Sequence, residues 1–217
     1  MCMSNDESFR AKRKEYRSGQ LAEDVVDPDP FRQFKGWFDA VMSSEVEEPN
    51  ACALATCSRD AIPSVRMVLL KGIDSRGMIF FTNYGSAKAE QIESNPRAAM
   101  VFYWAQFERQ VRIEGTVERL EAPASDTYFA SRPRDAQIGA SVSQQSKPVV
   151  SRAVIDESVE RFTAEHSDQP LQRPTYWGGY RVVPCTFEFW QGRENRLHDR
   201  LRYIKAGESW TSQRLWP

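Results

Sequence analysis

Hydrophobic and polar positions change period several times along the chain, and each change marks an element. In DPDPFRQFKGWFDAVMSSE the apolar residues Phe31, Phe34, Trp37, Phe38, Val41 and Met42 recur at helical spacing. Asp29 is placed to cap that helix and Pro30 to occupy its first turn, so one apolar face packs on a core. From Ala51 the pattern shifts to short segments rich in β-formers: ACALATCS, PSVRMVLLKGI and GMIFFTN. Arg59-Asp60 and the run from Asp74 to Gly77 separate them as turns. Ser86 to Ser94 reads as a short helix stopped by Asn95-Pro96, and RAAMVFYWA as a further strand. RQVRIEGTVERL alternates, with Val111, Ile113 and Val117 on one face and Arg112, Glu114 and Glu118 on the other.

Residues 122–166 read as polar helices interrupted at Arg132-Pro133 and Lys147-Pro148. GGYRVVPCTFEFW returns to strand character, and RLRYIKAGESWTSQRL forms two strands about Ala206-Gly207. The first 20 residues are polar and locally basic, a mobile tail or loosely held helix. The pattern predicts one mixed α+β domain over residues 21–217, mainly β: an antiparallel barrel or strongly bent sheet with helices outside.

Composition narrows the function. At 217 residues the chain can bury a real core, and 29 basic against 30 acidic residues give a net charge of −1. A general nucleic-acid binder carries a basic excess, so any anion site here is a local cluster. No apolar run is long enough to span a bilayer and no signal peptide is visible, so a reducing cytoplasm is expected. Cys2, Cys52, Cys57 and Cys185 lack metal-ligand spacing, and the two histidines are far apart, so no metal site is expected.

One cluster stands out. Trp190 to Arg200, WQGRENRLHDR, holds three arginines, a tryptophan and His198 in eleven residues. Arginine suits bidentate capture of phosphate or carboxylate, histidine moves a proton near neutral pH, and tryptophan covers a flat ring. That points to a pocket for an anionic aromatic ligand, with a solvated hairpin as the rival. Arg66 and Lys71 lie in a run that is otherwise apolar, where an unpaired charge is costly. A bound phosphate explains them, and so does an internal carboxylate partner. GxGxxG, GxxxxGK[ST] and GxSxG patterns are absent, which removes the main support for Rossmann, P-loop and serine-hydrolase readings.

The blocks RMVLLKGID, FFTNYGSAKAEQI, ERQVRIEG, YFASRPRDAQIGA, QQS, WGGYRVVP and EFWQGRENRLHDRLRY occur in the order and spacing of the pyridoxine (pyridoxamine) 5′-phosphate oxidase family. The resemblance runs from about residue 30 to the C-terminus. It implies a split β-barrel homodimer with FMN at the subunit interface, oxidising pyridoxamine and pyridoxine 5′-phosphates with O2. By position it implies FMN contacts from Arg66, Met67, Val68, Leu69, Phe81, Thr82, Lys88, Gln110, Gln145, Ser146, Trp190 and Arg200. Substrate contacts fall on Lys71, Tyr128, Arg132, Arg196, Leu197 and His198, with Arg196 and His198 nearest the chemistry. Two positions depart from the family pattern: Ala87 stands where a basic residue is common, and Ala136 where serine is common. Alternatives are a sibling flavin oxidase acting on another aromatic, such as a phenazine precursor, and a non-catalytic FMN- or pyridoxal-phosphate-binding module.

Overall fold

The computed structural model describes residues 15–167 and 169–217. The expected basic tail therefore lies mostly outside the described residues. The chain divides into two compact units that interleave along the sequence. Of the described residues, the larger comprises those within 50–102 and 112–187, the smaller 15–49, 103–111 and 188–217.

The larger unit is built on antiparallel strands. Strands β1 (Ala51–Cys57) and β2 (Pro63–Leu69) pair with Leu54 opposite Arg66. Alternation along β1 buries Cys52, Leu54 and Thr56. Next come β3 (Gly72–Ile73), β4 (Met78–Asn83), helix α2 (Ala87–Ser94), β5 (Arg97–Trp104) and β6 (Arg109–Arg119). Helices α3 (Ala122–Ala130), α4 (Arg134–Val142) and α5 (Arg152–Glu165) follow, then β7 (Trp177–Gln191). The strand order is β2-β1-β5-β6-β7-β4-β3. Val111, Ile113 and Val117 are buried, as the alternation in β6 predicts. Two glycines allow close backbone approach: a Cβ on Gly77 or Gly115 would lie 2.0 Å from the carbonyl oxygen of Val182 or Val183 respectively.

The helical breaks at Arg132-Pro133 and Lys147-Pro148 separate α3 from α4 and α4 from α5 as expected. Buried Gln137 ties the first break together by donating from Nε2 to the carbonyls of Phe129 (3.0 Å) and Arg132 (3.1 Å). That bond fixes the backbone on which Arg132 is mounted.

In the smaller unit, helix α1 (Pro30–Met42) begins as predicted, with the Asp29 carboxylate accepting from the Phe31 amide at 2.9 Å. It buries Phe34, Trp37 and Val41 but leaves Met42 exposed, so the apolar face is narrower than its sequence suggests. Each buried side chain contributes about 1.5–3 kcal/mol. Trp37 packs edge-on against Phe189. Strands β8 (Asp199–Ala206) and β9 (Ser209–Arg214) form the predicted hairpin, and Gly207 takes the left-handed conformation (φ 62°) that the turn requires.

Candidate active site

A cavity of about 380 Å³ opens in the larger unit. On one side it is lined by Met67, Val68 and Leu69 of β2, Phe81 and Thr82 of β4, and Lys88 of α2. Lys71, Tyr128, Arg132 and Gln145 also line it. These ten residues, drawn from sequence positions 67 to 145, are all among the expected cofactor and substrate contacts.

Lys88 is the charged centre of one end. Its Nζ donates to Thr82 Oγ1 (3.0 Å), Gln145 Oε1 (3.2 Å) and Ser86 Oγ (3.3 Å). Thr82 Oγ1 in turn donates to Gln145 Oε1 at 2.9 Å. Burial, reinforced by the nearby charge of Arg66, pulls the Lys88 ammonium down to about 8. Arg66 donates to neutral acceptors: the Leu54 carbonyl (3.0 Å), Thr56 Oγ1 (2.6 Å), Ser64 Oγ (2.7 Å) and Gln91 Oε1 (3.2 Å). Burial lowers its pKa as well. It backs the cavity without lining it.

At the other end three rings stack. Phe81 and Tyr128 lie 3.9 Å apart at 19°, and Trp177 is parallel to Phe81 at 5.6 Å. The guanidinium of Arg132 sits 4.7 Å over the Trp177 ring. Its Nη1 is buried and has no hydrogen-bond partner. Burial lowers the pKa of Arg132 and raises that of Tyr128. No salt bridge among the described residues involves Arg66, Lys71, Lys88 or Arg132. Four cations without a carboxylate, one of them with an unsatisfied buried N–H, suit ligands bearing phosphate groups. The donor set thus fits the FMN phosphate at the Lys88 end and a second anion at Arg132.

Lys71 corrects the sequence reading. The strand that carries Arg66 ends at Leu69, and Lys71 is exposed, so the cost of burying a charge bears on Arg66 and not on Lys71. Ser146 is also exposed and has a left-handed backbone (φ 72°), and it does not line the cavity. Sequence reasoning missed Trp177 and Asn83. Trp177 opens the WGGYRVVP block, which reads in the sequence only as strand and as part of the resemblance. Asn83 lines the cavity and donates from Nδ2 to the Ser143 carbonyl at 2.9 Å, holding the 143–145 segment.

The smaller unit carries Gln110, Trp190, Arg196, Leu197, His198 and Arg200. Trp190 and His198 are 4.7 Å apart, and Tyr16 meets both edge-on at 5.6 and 5.5 Å. The Arg193 amide donates to His198 Nδ1 at 3.1 Å. That bond requires an unprotonated Nδ1 and so leaves the ring proton on Nε2. Burial and then the charge of Arg196 lower the His198 pKa from 6.5. Asn195 and Arg196 are both left-handed (φ 55° and 60°), a backbone conformation that is costly outside glycine. It turns the exposed Arg196 and Leu197 on a tight loop. Arg200 donates from Nε (3.0 Å) and Nη2 (2.8 Å) to Glu188 Oε1, and from Nη1 to the Trp216 carbonyl (2.9 Å). Buried Glu188 was not singled out in the sequence, because its partner lies twelve residues away on the next strand.

Comparison with known proteins supports this chemistry. The family model described as pyridoxamine 5′-phosphate oxidase matches residues 38–166, and that of the pyridoxine 5′-phosphate oxidase C-terminal dimerisation region matches residues 177–217. A pyridoxine/pyridoxamine 5′-phosphate oxidase of Rubrobacter xylanophilus is 52% identical, with 94% of each chain covered. One from Salinibacter ruber is 53% identical over 94% of this chain and 97% of the relative. Among solved structures, PhzG from Burkholderia lata, in complex with tetrahydrophenazine-1-carboxylic acid, superposes with a TM-score of 0.85 at 32% identity, covering 91% of this chain and 98% of the other. A pyridoxamine 5′-phosphate oxidase-related, FMN-binding protein from Nostoc punctiforme shares the fold, with a TM-score of 0.72 at 19% identity over 87% of this chain and 98% of that one. The chain belongs to the pyridoxamine 5′-phosphate oxidase family.

Proposed function

We propose that this chain is an FMN-dependent oxidase converting pyridoxamine 5′-phosphate and pyridoxine 5′-phosphate to pyridoxal 5′-phosphate, with release of hydrogen peroxide. The observation that carries the reading is the unsatisfied, buried Nη1 of Arg132 above an aromatic stack, in the same cavity as the Lys88 cluster. The redox chemistry would be supplied by bound FMN, namely oxidation at the substrate's 4′-carbon with dioxygen as final electron acceptor.

The protein's share is anchoring and orientation. Lys88 and Arg66 supply positive charge for the FMN phosphate, while Thr82 and Gln145 offer polar groups beside it. Met67, Val68, Leu69 and Phe81 give the cavity apolar walls. Gln110, Ser146, Trp190 and Arg200 complete the FMN set by family position. Arg132, Lys71 and the Tyr128 hydroxyl hold the substrate's 5′-phosphate. Arg196, Leu197 and His198 position its ring. Neutral His198 with its proton on Nε2 is a hydrogen-bond donor, so orienting the substrate is its role, and Nδ1 is already engaged by the Arg193 amide.

The same reading takes the protein as a homodimer with FMN sites at the subunit interface, working in the cytoplasm. The dimerisation region at residues 177–217 supports the first, and the unpaired thiols of Cys52, Cys57 and Cys185 support the second. The likeness to PhzG favours a phenazine-type substrate as second reading. The carboxylate of such a ligand can also pair with Arg132, so the substrate assay separates the two readings.

The purified protein is expected to be yellow and to form pyridoxal 5′-phosphate from both substrates. Flavin-loaded protein inactive on both sinks the main reading and favours the sibling oxidase. A colourless protein that FMN cannot reconstitute sinks both flavin readings.

A further inference from the structure

Arg109 is a cation the proposed reaction leaves unused. Its guanidinium packs 4.4 Å from the centre of the Trp37 ring, and its Nε donates to Gln191 Oε1 at 3.0 Å. No salt bridge among the described residues involves it, and burial lowers its pKa. Gln191 is fully buried. Its Nε2 donates to the carbonyls of Phe107 and Glu108, at 3.2 Å each, so one amide spans the turn before β6.

Register gives these bonds a consequence. The Gly192 amide donates to the Glu108 carbonyl at 2.8 Å, and β6 neighbours β7 in the sheet. Antiparallel pairing continued from that bond sets Arg109 beside Gln191 and Gln110 beside Trp190. Successive strand residues face opposite ways, so the Arg109–Gln191 pair lies behind the Gln110–Trp190 pair. Buried Phe189 and Val111 share the Arg109–Gln191 face, and half-buried Trp190 lies on the other.

We infer that Arg109 and Gln191 are a positioning pair, which holds Gln110 and Trp190 as one unit for FMN. This rests on the assignment of Gln110 and Trp190 to the cofactor. The Arg109 guanidinium, clamped between the Trp37 face and the Gln191 amide, fixes that amide; the amide fixes the turn and the strand pairing. Methionine at 109 would keep the bulk and lose the hydrogen bond.

The test titrates apo-protein with FMN, follows flavin fluorescence, and records visible circular dichroism of the bound flavin. Arg109→Met and Gln191→Leu should each weaken FMN binding about tenfold, the scale of one hydrogen bond to a charged group. Both should alter the visible dichroism, and the double variant should be no weaker than the worse single one. At saturating FMN, KM for pyridoxine 5′-phosphate should move less than about twofold. Arg109→Lys, which keeps the charge and folds if methionine does not, should recover part of the affinity. Wild-type affinity and dichroism in the Arg109 and Gln191 variants, with Gln110→Ala impaired, would overturn the pair's role. Wild-type FMN binding in Gln110→Ala and Trp190→Phe as well would overturn the cofactor assignment itself.

Discussion

The backbone amide of Arg193 donates to Nδ1 of His198 at 3.1 Å, closing a loop that carries two consecutive left-handed residues, Asn195 and Arg196. The loop therefore depends on a neutral imidazole, since a protonated Nδ1 cannot accept. Because the folded His198 pKa lies below 6.5, the unfolded chain binds the proton more readily, and stability rises with pH through that region. On acidification the loop should loosen. We expect the acid limb of kcat/KM to include a group titrating below 6.5 that His198→Ala removes. A limb unchanged in that variant would exclude His198 as its source.

Lys88 gives the opposite limb. With its pKa at about 8, the apo-protein loses this ammonium in mildly alkaline solution, whereas a phosphate beside it would retain the proton. FMN affinity should fall up to about tenfold per pH unit above that value. In Lys88→Arg the guanidinium does not titrate, and the fall should disappear. The ligand-free protein should show the reverse trend: its stability rises from pH 8 towards 10.5, because the unfolded lysine still binds a proton there.

Arg132→Met should separate stability from function. Losing charge-assisted contacts to phosphate should raise KM about 10- to 100-fold with FMN binding retained. The same change removes a buried N–H without a partner, so the ligand-free variant should melt at a higher temperature than wild type. Calorimetry of both proteins without substrate checks this; a lower melting temperature would show that the stack on Trp177 outweighs the unsatisfied group.

Ala87 is exposed at the start of α2, two residues after Gly85 and next to Lys88. An arginine there extends from an exposed position and adds a cation beside Lys88 in the first turn of the helix. Ala87→Arg should tighten FMN binding by about tenfold, the worth of one charge-assisted hydrogen bond. Equal affinities from fluorescence titration would show that Lys88 and Arg66 already saturate the phosphate.

Local pattern carried the fold well where one period ruled a whole element. Alternation in β6 fixed which of its residues are buried, and the Asp29-Pro30 start placed α1. It failed where a boundary depended on distant pairing. Lys71 reads as strand because PSVRMVLLKGI is unbroken, yet the ladder from Ala51 to Leu69 ends before it. The candidate site came largely through family resemblance, since residues 67 to 145 share no local motif. Trp177 and Glu188 stayed hidden for a physical reason: ring stacking and ion pairing across strands leave no periodic trace.

The interleaving of the two units limits how this chain can be divided. Residues 103–111, with Arg109 and Gln110, belong with segments from both ends of the sequence, while the cavity residues come from the stretches between. A single cut cannot yield two complete units. Cleavage after Phe187 keeps every segment of the larger unit but strips Trp190, His198 and Arg200 from the smaller. Domain shuffling, which needs a seam that separates whole units, therefore has none at any single position of this chain.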